Sequence, residues 1–500
     1  LKKLKPSRYF KTFRAKDYTL NNIVIDIIIP VYNGYKFLNP LFDSLERNTF
    51  PAHRLIVVND CSPDEKVKPL LKKRLEKYPS SIFIDHKENQ GFLKSVNEAY
   101  SYISDHFIIL NTDTEVPAFW IERLMYPIVH MEKISSTTPF TNSGEIASFP
   151  NFLADNDIFE DMSVDKLDEV FRDINPKYFY EEVPTGVGFC MGVNYHLTKE
   201  IGLFVEDTFG KGYGEENDWC QRAIQKGYKN YLVPNLFVYH KHGGSFSAEE
   251  KRKLLKENSI KLLAKHPNYG KDVDAYIEKN PHESLRNILV MIASARVRSI
   301  DIIFDHDLGG GANIYKNKLL EKYAKEERNT LEIKFDFYSN MFKISHKYKN
   351  YTSSFSVDTF SELTLLLEKI DIREIFLNSL VSYKGIYEIL EYINDIVEKH
   401  NIVLTIPIHD YNPISANYTL LCADGAYHDD LSLEGCQKCI ENNDLEWRSL
   451  VPDEINLKLW RELWFKLLKK SDNILCFSNS SKDILLSAYP VSYQTPQFSY

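Results

Sequence analysis

An apolar run at residues 106–110 is followed by Asn111 and Asp113, two polar residues whose oxygens can serve chemistry. Hard cations such as Mg²⁺ and Mn²⁺ prefer oxygen ligands, and they keep waters and substrate phosphates in their shell, so one protein carboxylate can suffice. A loop Asp that caps a helix near Pro117 is the structural alternative. Asp113 is therefore a candidate metal ligand.

A second group of acids lies in residues 213–220, where Glu215, Glu216 and Asp218 follow a glycine. In a group transfer, a carboxylate beside the accepting hydroxyl can take up its proton as general base. Acids also complement the dipole in the first turn of a helix, so the same residues suit a structural role. The two interpretations can hold together.

Short β-branched runs alternate with helical patterns around these residues. Strands are predicted at residues 23–30, 55–59, 82–85 and 106–110, with helices at 35–48, 63–77 and 91–102. This alternation predicts an α/β fold with a mostly parallel sheet and helices on both faces. Such sheets bind ligands beyond the carboxyl ends of their strands. Four polar residues converge on that edge: Asn33, Asp60, Asn89 and Asp113.

Several ordered motifs resemble those of the family 2 glycosyltransferases, enzymes of GT-A fold that use nucleotide sugars. They are PVYNG at 30–34, VVNDCS at 57–62, NQG at 89–91 with Asn97, LNTDTE at 110–115, TGVGFCMG at 185–192, YGEENDWC at 213–220 and VYHKHGGS at 238–245. The resemblance covers residues 23–265 and implies a GT-A nucleotide-sugar-binding domain there.

The resemblance also implies a donor site along the strand ends. The residues it assigns to donor binding are Pro30, Tyr32, Asn33, Asp60, Asn89, Gly91, Lys94, Asn111 and Asp113. For Asp60, the alternative is an N-cap of the helix after Pro63. For Lys94, the alternative is that it is an ordinary solvated residue of a helix. The glycines of residues 185–192 imply close approach of donor sugar and acceptor, and a structural hairpin would use them as well.

Motif position implies the metal ligands and the base. Asp113 takes the metal-binding position of a D-x-D motif in which Asn111 replaces the first carboxylate. His240 completes the metal shell, with His242 as the alternative, and the implied cofactor is Mn²⁺ or Mg²⁺. Glu216 is the implied catalytic base, with Asp218 as the second choice and Glu215 as the third.

The implied activity is inverting transfer of a hexosyl or rhamnosyl group from a UDP- or dTDP-sugar. The acceptor is a glycan or lipid-linked glycan of bacterial surface-polysaccharide synthesis, namely O-antigen, capsule or cell wall. The runner-up is a non-catalytic carbohydrate-binding or scaffold protein, which Asn111 favours. A nucleotidyltransferase shares the need for nucleotide and metal, but the Glu216 segment does not fit it.

A chain of 500 residues is too long for one core. We predict a basic arm at 1–22, the GT-A domain at 23–265, a helical linker at 266–297 and a second Rossmann-like α/β unit at 298–500. Residues 305–313 and 409–411 resemble the N-terminal half of GT-B (family 4-like) glycosyltransferases. This unit is either an incomplete GT-B fold or an acceptor-binding module.

A formal net charge of −9 argues against nucleic acid as the main partner. Only the N-terminal arm is basic, and we expect a solvated tail that could make peripheral contact with a membrane. Seven scattered cysteines suit a reducing cytoplasm, at the inner face of the membrane if contact occurs. Cys436 and Cys439 have metal-ligand spacing, which His428 or Cys422 could complete as a zinc site; free buried thiols are the alternative.

Overall fold

The computed structural model describes residues 1–49, 52–210, 213–241, 248–441, 443–452, 454–489 and 498–499. The chain forms two compact units. The first unit is Arg8–Leu289, and the second consists of Leu1–Ser7 together with Val290–Tyr500. The stretch predicted as a linker is made of two helices, and the division falls inside the second of them.

The strands are β1 (Lys2–Lys3), β2 (Asp26–Val31), β3 (Arg54–Asn59), β4 (Ile82–Asp85), β5 (Phe107–Leu110), β6 (Thr114–Glu115), β7 (Ile134–Phe140), β8 (Glu181–Val183), β9 (Cys190–Val193), β10 (Lys229–Phe237), β11 (Tyr239–His240), β12 (Ile300–His306), β13 (Thr330–Asp336), β14 (Met341–Tyr348), β15 (Tyr351–Val357), β16 (Ile372–Leu377), β17 (Val403–Ile408), β18 (Asn473–Cys476) and β19 (Phe498–Ser499).

The α-helices are α1 (Pro6–Tyr9), α2 (Tyr35–Asn48), α3 (Val67–Leu75), α4 (Phe92–Tyr100), α5 (Trp120–His130), α6 (Val164–Arg172), α7 (Tyr195–Ile201), α8 (Glu206–Phe209), α9 (Glu215–Gln225), α10 (Ala248–Lys265), α11 (Tyr269–Lys279), α12 (Glu283–Val297), α13 (Gly311–Lys325), α14 (Phe360–Leu367), α15 (Ile386–His400), α16 (Leu433–Ile440), α17 (Leu457–Lys470) and α18 (Asn479–Ala488). Among the described residues, no helix is long and apolar enough to cross a membrane.

The first unit is built on a sheet with strand order β4-β3-β2-β5-β9-β7-β10-β8. Strands β4, β3, β2 and β5 pair in parallel, and β9 runs antiparallel between β5 and β7. The strands read as apolar runs because both faces are covered: Ile27, Ile28 and Ile29 are all fully buried.

This topology positions the functional edge of the sheet. The chain leaves β2 for β3 on one side and later returns to β5 on the other side, so the order reverses between β2 and β5. Open parallel sheets bind ligands at such a reversal, beyond the carboxyl ends of the strands. The loops after β2, β3 and β5 carry Asn33, Asp60 and Asp113 to this place.

A buried ion pair ties three elements of the first unit together. Both guanidinium nitrogens of Arg123 on α5 bind the carboxylate of Asp168 on α6, at 2.9 and 2.7 Å. The Phe237 N–H of β10 donates to the same carboxylate at 3.0 Å. Both charged side chains are fully buried.

Replacing Asp168 with Ala should therefore destabilise the first unit by about 3–5 kcal/mol, because Arg123 would stay buried without its counter-charge. Chemical denaturation followed by tryptophan fluorescence would measure the loss. The neighbouring Glu169→Ala removes an exposed carboxylate and should change stability by less than about 0.5 kcal/mol. Equal effects of the two variants would contradict the assigned role of the pair.

The second unit holds a sheet with order β1-β15-β14-β13-β12-β16-β17-β18-β19. Strands β13, β12, β16, β17 and β18 pair in parallel, as the alternating sequence pattern predicts. An antiparallel hairpin of β14 and β15, which we did not predict, extends one edge. The residues of β14 alternate between more and less buried positions, as expected for a strand with one face on the core and the other toward solvent.

The N-terminal arm is not a solvated tail, and that expectation is wrong. Strand β1 pairs in parallel with β15, so that Lys2 lies opposite Phe355. Leu4 and Tyr18 are buried at 4% and 5% exposure. The exposed backbone edge of β15 and these apolar side chains account for the ordering, since an edge strand offers unpaired hydrogen-bonding groups.

The cysteine prediction also needs correction. Cys422 and Cys439 form a disulfide, with their Cα atoms 4.5 Å apart, so neither is a free thiol or a zinc ligand. The Cys436 sulfur instead accepts a hydrogen bond from Arg461 at 3.0 Å. The sequence spacing was misleading because the loop before α16 brings Cys422, not Cys436, beside Cys439.

Candidate active site

A two-stranded ribbon brings Asp113 and His240 together. Strand β6 directly follows Asp113 and pairs antiparallel with β11, placing His240 opposite Thr114. The Lys241 N–H donates to the Asp113 carbonyl at 2.7 Å. As a result, His240 Nε2 lies 3.4 Å from Asp113 Oδ1, although 127 residues separate the two in sequence.

The orientation of His240 is set by its neighbours. Its Nδ1–H donates to the Ser143 carbonyl at 2.8 Å, which puts the ring proton on Nδ1 and directs the Nε2 lone pair toward Asp113. Asn142 holds the backbone, accepting from the His240 N–H at 2.9 Å and donating to its carbonyl at 2.8 Å. Phe189 stacks on the ring at 4.9 Å. This is the arrangement that a metal-binding histidine requires.

The pair fits a divalent cation in its chemistry. One carboxylate oxygen and one imidazole nitrogen converge, while both side chains keep a small exposed fraction, 12% for Asp113 and 14% for His240. That opening leaves room for the waters and phosphate oxygens that Mg²⁺ or Mn²⁺ retains. Asn111 lies beside them, with its N–H donating to the Phe189 carbonyl at 2.8 Å.

A cluster of Asp105, His106 and His196 also places three donor atoms within 4.8 Å of one another. It lies before β5, at the opposite edge of the sheet from Asp113. His106 Nδ1 accepts the Tyr195 N–H at 3.2 Å, so the neutral ring carries its proton on Nε2. Neither ring nitrogen of His106 then offers a lone pair to an ion, which argues against a metal at this cluster.

Asp60 organises the loop that carries the predicted nucleotide contacts. Its Oδ1 accepts the Gln90 N–H at 2.7 Å, and its Oδ2 accepts the Gly91 N–H at 2.8 Å. Gly91 has φ = 91°, a left-handed value that glycine adopts without strain. Asp60 therefore lies at the start of α4 and does not cap α3, whose N-cap is Lys66.

His86 links Asp60 to α4. The His86 Nδ1 is 2.8 Å from Asp60 Oδ1, and its Nε2 is 2.9 Å from Glu98 Oε2. Burial would lower the pKa of His86, but hydrogen bonds with the two carboxylates outweigh burial and raise that pKa. Sequence reasoning missed His86, which follows β4 at the same sheet edge as the other strand-end residues.

The remaining predicted donor residues lie around this edge with different exposure. Asn89 and Lys94 are exposed and available to a ligand. Asn33 has φ = 59°, and its N–H donates to Ser62 Oγ at 2.9 Å. Pro30 and Tyr32, at and just after the end of β2, are half-buried.

Glu216 occupies the first turn of α9 with an unusual environment for a carboxylate. Its Oε2 is buried and has no hydrogen-bond partner among the described residues. Burial raises the pKa of the Glu216 carboxyl to about 7, and repulsion from the charge of Glu145 also raises it. Hydrogen bonds from the backbone of Glu216 itself and of Gly214 lower the pKa, but by less. A carboxylate with this pKa can take up a proton near neutral pH.

Gly188 and Tyr213 connect Glu216 to the rest of the edge. A Cβ at Gly188 would stand 3.8 Å from the Glu216 carboxyl carbon, so glycine leaves the carboxyl approachable from that side. Burial raises the pKa of Tyr213, and the charges of Glu215, Glu216 and Asp113 add to the shift, which places all three near its hydroxyl.

Asp218 has a different environment. It is fully buried, and its carboxylate binds Arg222 at 2.8 Å, Lys265 at 2.6 Å and His266 at 2.8 Å. Burial alone would raise the pKa of Asp218, but these hydrogen bonds lower it. Residues two apart on a helix point about 200° apart. Asp218 is therefore turned away from Glu216 and holds α9 to the chain around residue 265.

Several neighbours in the site were not predicted. Asn142, Ser143 and Glu145 follow β7, whose carboxyl end lies at the same edge as those of β2, β3 and β5. Strand β7 was not predicted because its sequence, ISSTTPF, is rich in serine and threonine, although all of its residues are buried. His242 and Ser245, the end of the predicted histidine motif, lie outside the described residues.

The glycine-rich stretch before β9 serves both packing and approach. A Cβ at Gly192 would come within 2.4 Å of Thr137 Oγ1, so this glycine is required by close packing. The Gly186 N–H donates to the Cys220 sulfur at 3.2 Å. Of the glycines in this stretch, Gly188 is the one whose missing Cβ opens space beside Glu216.

Residues 26–202 match the family model described as glycosyl transferase family 2. Over this range, which is less than half of the chain, the sequence is similar to family 2 glycosyltransferases. The predicted GT-A-type α/β fold is confirmed, and the matched range holds Asp60, Asp113 and Gly188. Glu216 and His240 lie beyond it, on α9 and β11 of the same unit.

Curated relatives match a short part of the chain. A teichoic acid poly(glycerol phosphate) polymerase of Staphylococcus epidermidis is 27% identical over 140 residues, 28% of this chain and 18% of the relative. The minor teichoic acid biosynthesis protein GgaB of Bacillus subtilis is 33% identical over 89 residues, 17% of this chain and 10% of the relative. The matches thus span less than a fifth of the length of either relative.

Solved structures show low overall similarity. The mannosyltransferase PcManGT from Pyrobaculum calidifontis, in complex with GDP-Man and Mn²⁺, has 15% identity and a TM-score of 0.37, covering 62% of this chain and 87% of that chain. S. aureus TarS 1-349 in complex with UDP-GlcNAc has 13% identity and a TM-score of 0.33, covering 55% and 83%.

Proposed function

We propose that the chain is an inverting glycosyltransferase that moves a sugar from a UDP- or dTDP-sugar to a carbohydrate acceptor. The observation that carries the proposal is the composition of one sheet edge. The Asp113–His240 pair lies there, and near it Glu216 has a buried carboxylate oxygen without a hydrogen-bond partner among the described residues, as does the adjacent Glu215. A nucleotide-sugar transferase needs both a cation site for the diphosphate and a base for the acceptor hydroxyl.

In this proposal Asp113 and His240 hold Mn²⁺ or Mg²⁺, which when bound offsets the negative charge of the donor diphosphate. The hydrogen bond from His240 Nδ1 to Ser143 keeps the Nε2 lone pair directed at the metal position. Asn111 supplies an amide oxygen at the position of the first carboxylate in the D-x-D motif that the sequence resembles, so the site carries one negative charge less.

Glu216 accepts the proton of the acceptor hydroxyl as that oxygen bonds to the sugar carbon and the bond from this carbon to the nucleoside diphosphate breaks, which releases the diphosphate. Its pKa near 7 suits the task, because a base works best when its pKa lies close to the working pH. Gly188 leaves its carboxyl approachable. Asp218, whose carboxylate is bound by Arg222, Lys265 and His266, has no capacity left for this role.

On the donor side, Asp60 acts by fixing the loop of residues 89–91 through two backbone N–H groups. The nucleotide then lies against Tyr32, Asn33, Asn89 and Gly91, with Lys94 as the nearest exposed cation for a phosphate. Pro30 shapes the end of β2 below the base.

We place the reaction in the synthesis of a bacterial cell-wall or surface polysaccharide. The support is that the curated relatives over parts of this chain are a teichoic acid polymerase and a teichoic acid biosynthesis protein. The acceptor is then a glycan or lipid-linked glycan. A cytoplasmic location, at the inner face of the membrane when the acceptor is lipid-linked, belongs to the same proposal.

The full chain should bind UDP or dTDP in the presence of Mn²⁺ and hydrolyse or transfer the sugar of one donor in a panel of UDP- and dTDP-sugars. Calorimetry with and without Mn²⁺ would measure binding, and release of the nucleoside diphosphate would measure turnover. Failure of a folded chain to bind either nucleotide would favour the non-catalytic scaffold. The amide at Asn111, in place of a carboxylate, supports that alternative.

A further inference from the structure

The second unit has an edge of its own where polar side chains collect. The chain leaves β12 for β13 on one side and returns to β16 on the other, so the strand order reverses between β12 and β16. Parallel sheets bind ligands at such a reversal. Residues at or just after the strand ends meet at this edge: His306 of β12, Ser379 after β16, His409 and Asp410 after β17, and Phe477 after β18.

A hydrogen-bond chain sets the orientation of His409. Asn378 donates from Nδ2 to the buried Asp305 carboxylate at 2.9 Å, so its Oδ1 is left as an acceptor. His409 Nε2 lies 3.1 Å from that oxygen and must be the donor. The His409 Nδ1 lone pair is then available as an acceptor. Burial lowers the pKa of His409 to about 4, so the ring is neutral at physiological pH.

His306 supplies a donor at the same place. Its Nδ1 accepts the Leu308 N–H at 3.2 Å, so Nε2 carries the proton. Although His306 is only 8% exposed, this Nε2–H makes no hydrogen bond within the described part of the chain. His306 contributes electrostatically to the pKa values of both His409 and Asp410, which places the three side chains together. The Nε2–H of His306 is therefore left to pair with a ligand or with water.

Asp410 adds a carboxylate to the set. Its Oδ2 accepts from Ser379 Oγ at 2.8 Å, and its Oδ1 accepts the Asn412 N–H at 2.9 Å. Each carboxylate oxygen has further acceptor capacity. Burial raises the pKa of Asp410. The edge thus presents one N–H donor, one nitrogen acceptor and carboxylate oxygens within a small space.

An aromatic surface lies beside these polar groups. Phe477 is 50% exposed and stacks on His409, with ring centroids 4.6 Å apart. Tyr315 contacts both rings edge-on, at 5.1 Å from His409 and 5.2 Å from Phe477. Leaving half of a phenylalanine ring in water next to buried polar groups is typical of a ligand site, where apolar surface and a few placed polar groups act together.

We propose that this edge of the second unit binds an uncharged, hydroxyl-rich ligand, a sugar ring or polyol of the glycan acceptor. The hydroxyls pair with His306, His409 and Asp410, and the C–H face of the ligand lies on Phe477. An anion is disfavoured because it would face the carboxylates of Asp305 and Asp410. The identification of the ligand as acceptor rests on the proposed function, and the site only binds; no chemistry is assigned to it.

The test uses the full chain and simple probes: glycerol, methyl β-D-glucopyranoside and N-acetylglucosamine. Saturation-transfer NMR titrations should show binding of at least one probe to both the wild type and the Asp113→Ala variant, since the latter alters only the first unit. Phe477→Ala should weaken that binding by about 3- to 10-fold, and Asp410→Asn by about 10-fold. Tyr338→Ala removes another exposed aromatic, at 91% exposure, and should change nothing.

Binding of none of the probes would overturn the proposal, as would full binding in Phe477→Ala and Asp410→Asn. Phosphate binding that is lost in Phe477→Ala would also overturn it, because the ligand would then be an anion. Circular dichroism of each variant confirms folding. UDP titration with Mn²⁺ is run in parallel and should be unaffected by Phe477→Ala. If the wild type does not bind UDP, the proposed function is refuted. The titrations with the sugar and polyol probes still test the site in the second unit, because they do not depend on UDP binding.

Discussion

Replacing Glu216 with Gln is expected to lower kcat by about 10²- to 10⁴-fold while the affinity for UDP stays nearly unchanged. The amide keeps the size and hydrogen-bonding shape of the side chain but cannot accept the acceptor proton. The environment of Glu216 supports its role as the base, since one of its carboxylate oxygens is buried without a hydrogen-bond partner among the described residues. Steady-state kinetics with the donor identified by the panel, together with UDP calorimetry, would measure both quantities.

The same residue predicts a pH profile. The base must be deprotonated, so activity falls as pH drops through its pKa. Because burial raises the pKa of Glu216 to about 7, the acidic limb of kcat/KM should lie near pH 7 and not near the 4.5 of an ordinary glutamate. Below the limb the rate should fall about tenfold per pH unit. In Glu216→Gln this limb should disappear from the residual activity.

Asp218→Asn is the matched comparison on the same helix. Burial alone would raise the pKa of Asp218, but hydrogen bonds with Lys265, His266 and Arg222 lower it in the folded chain. These contacts therefore stabilise the fold at pH values above the pKa that Asp218 has in the unfolded chain. The stabilisation is lost as the pH falls through the lower pKa of the folded chain. This variant should unfold more easily at neutral pH while its acidic limb stays at pH 7. A turnover loss confined to Asp218→Asn would reassign the base, and near-normal turnover in Glu216→Gln would exclude Glu216.

Replacing Asp113 with Ala should weaken Mn²⁺-dependent UDP binding by about 100-fold and abolish metal-stimulated turnover. The loss of a metal ligand is at least as severe as the loss of its hydrogen-bonded support, which costs about 10- to 100-fold. UDP titrations at several Mn²⁺ concentrations would show this as a loss of metal dependence. His240→Ala should give the same pattern, because its Nε2 and Asp113 Oδ1 face each other at 3.4 Å.

Asp105→Ala is the control for this prediction, since Asp105 belongs to the cluster with His106 and His196 at the other edge of the sheet. It should leave both UDP affinity and metal response unchanged. If Asp105→Ala abolishes the metal response and Asp113→Ala does not, the metal lies at the other edge and the assignment of Asp113 is wrong.

Much of the parallel core could be predicted from sequence. Helix α2 and strand β4 have the predicted bounds, and β3 and β5 differ from prediction by one residue at one end. Buried parallel strands are apolar and β-branched throughout, so their local sequence carries the signal. Elements with mixed composition were missed: β7 contains two serines and two threonines, and the β14–β15 hairpin adds an antiparallel edge.

For the candidate site, residue type and position pointed to Asp113, Glu216 and His240 as a set. That followed from acids and polar groups placed just after apolar strands, together with the ordered motifs that resemble the family. Motif position ranked Glu216 ahead of Asp218, but residue type alone could not separate them, because both are acids in one helical turn. Only packing separates them, by surrounding Asp218 with cationic side chains and leaving Glu216 Oε2 unpaired.

The sequence by itself determined the α/β class, the strand-end placement of Asp60 and Asp113 and the motifs that resemble a family 2 domain, because periodicity and turn chemistry are local properties. The tertiary structure alone decided that Cys422 meets Cys439 and that β1 pairs with β15. These pairings depend on how the strands cross over and on which strand edges stay exposed. Leaving backbone hydrogen-bonding groups unpaired or charges buried without a partner costs free energy, so the whole unit, and not the local sequence, determines the pairings.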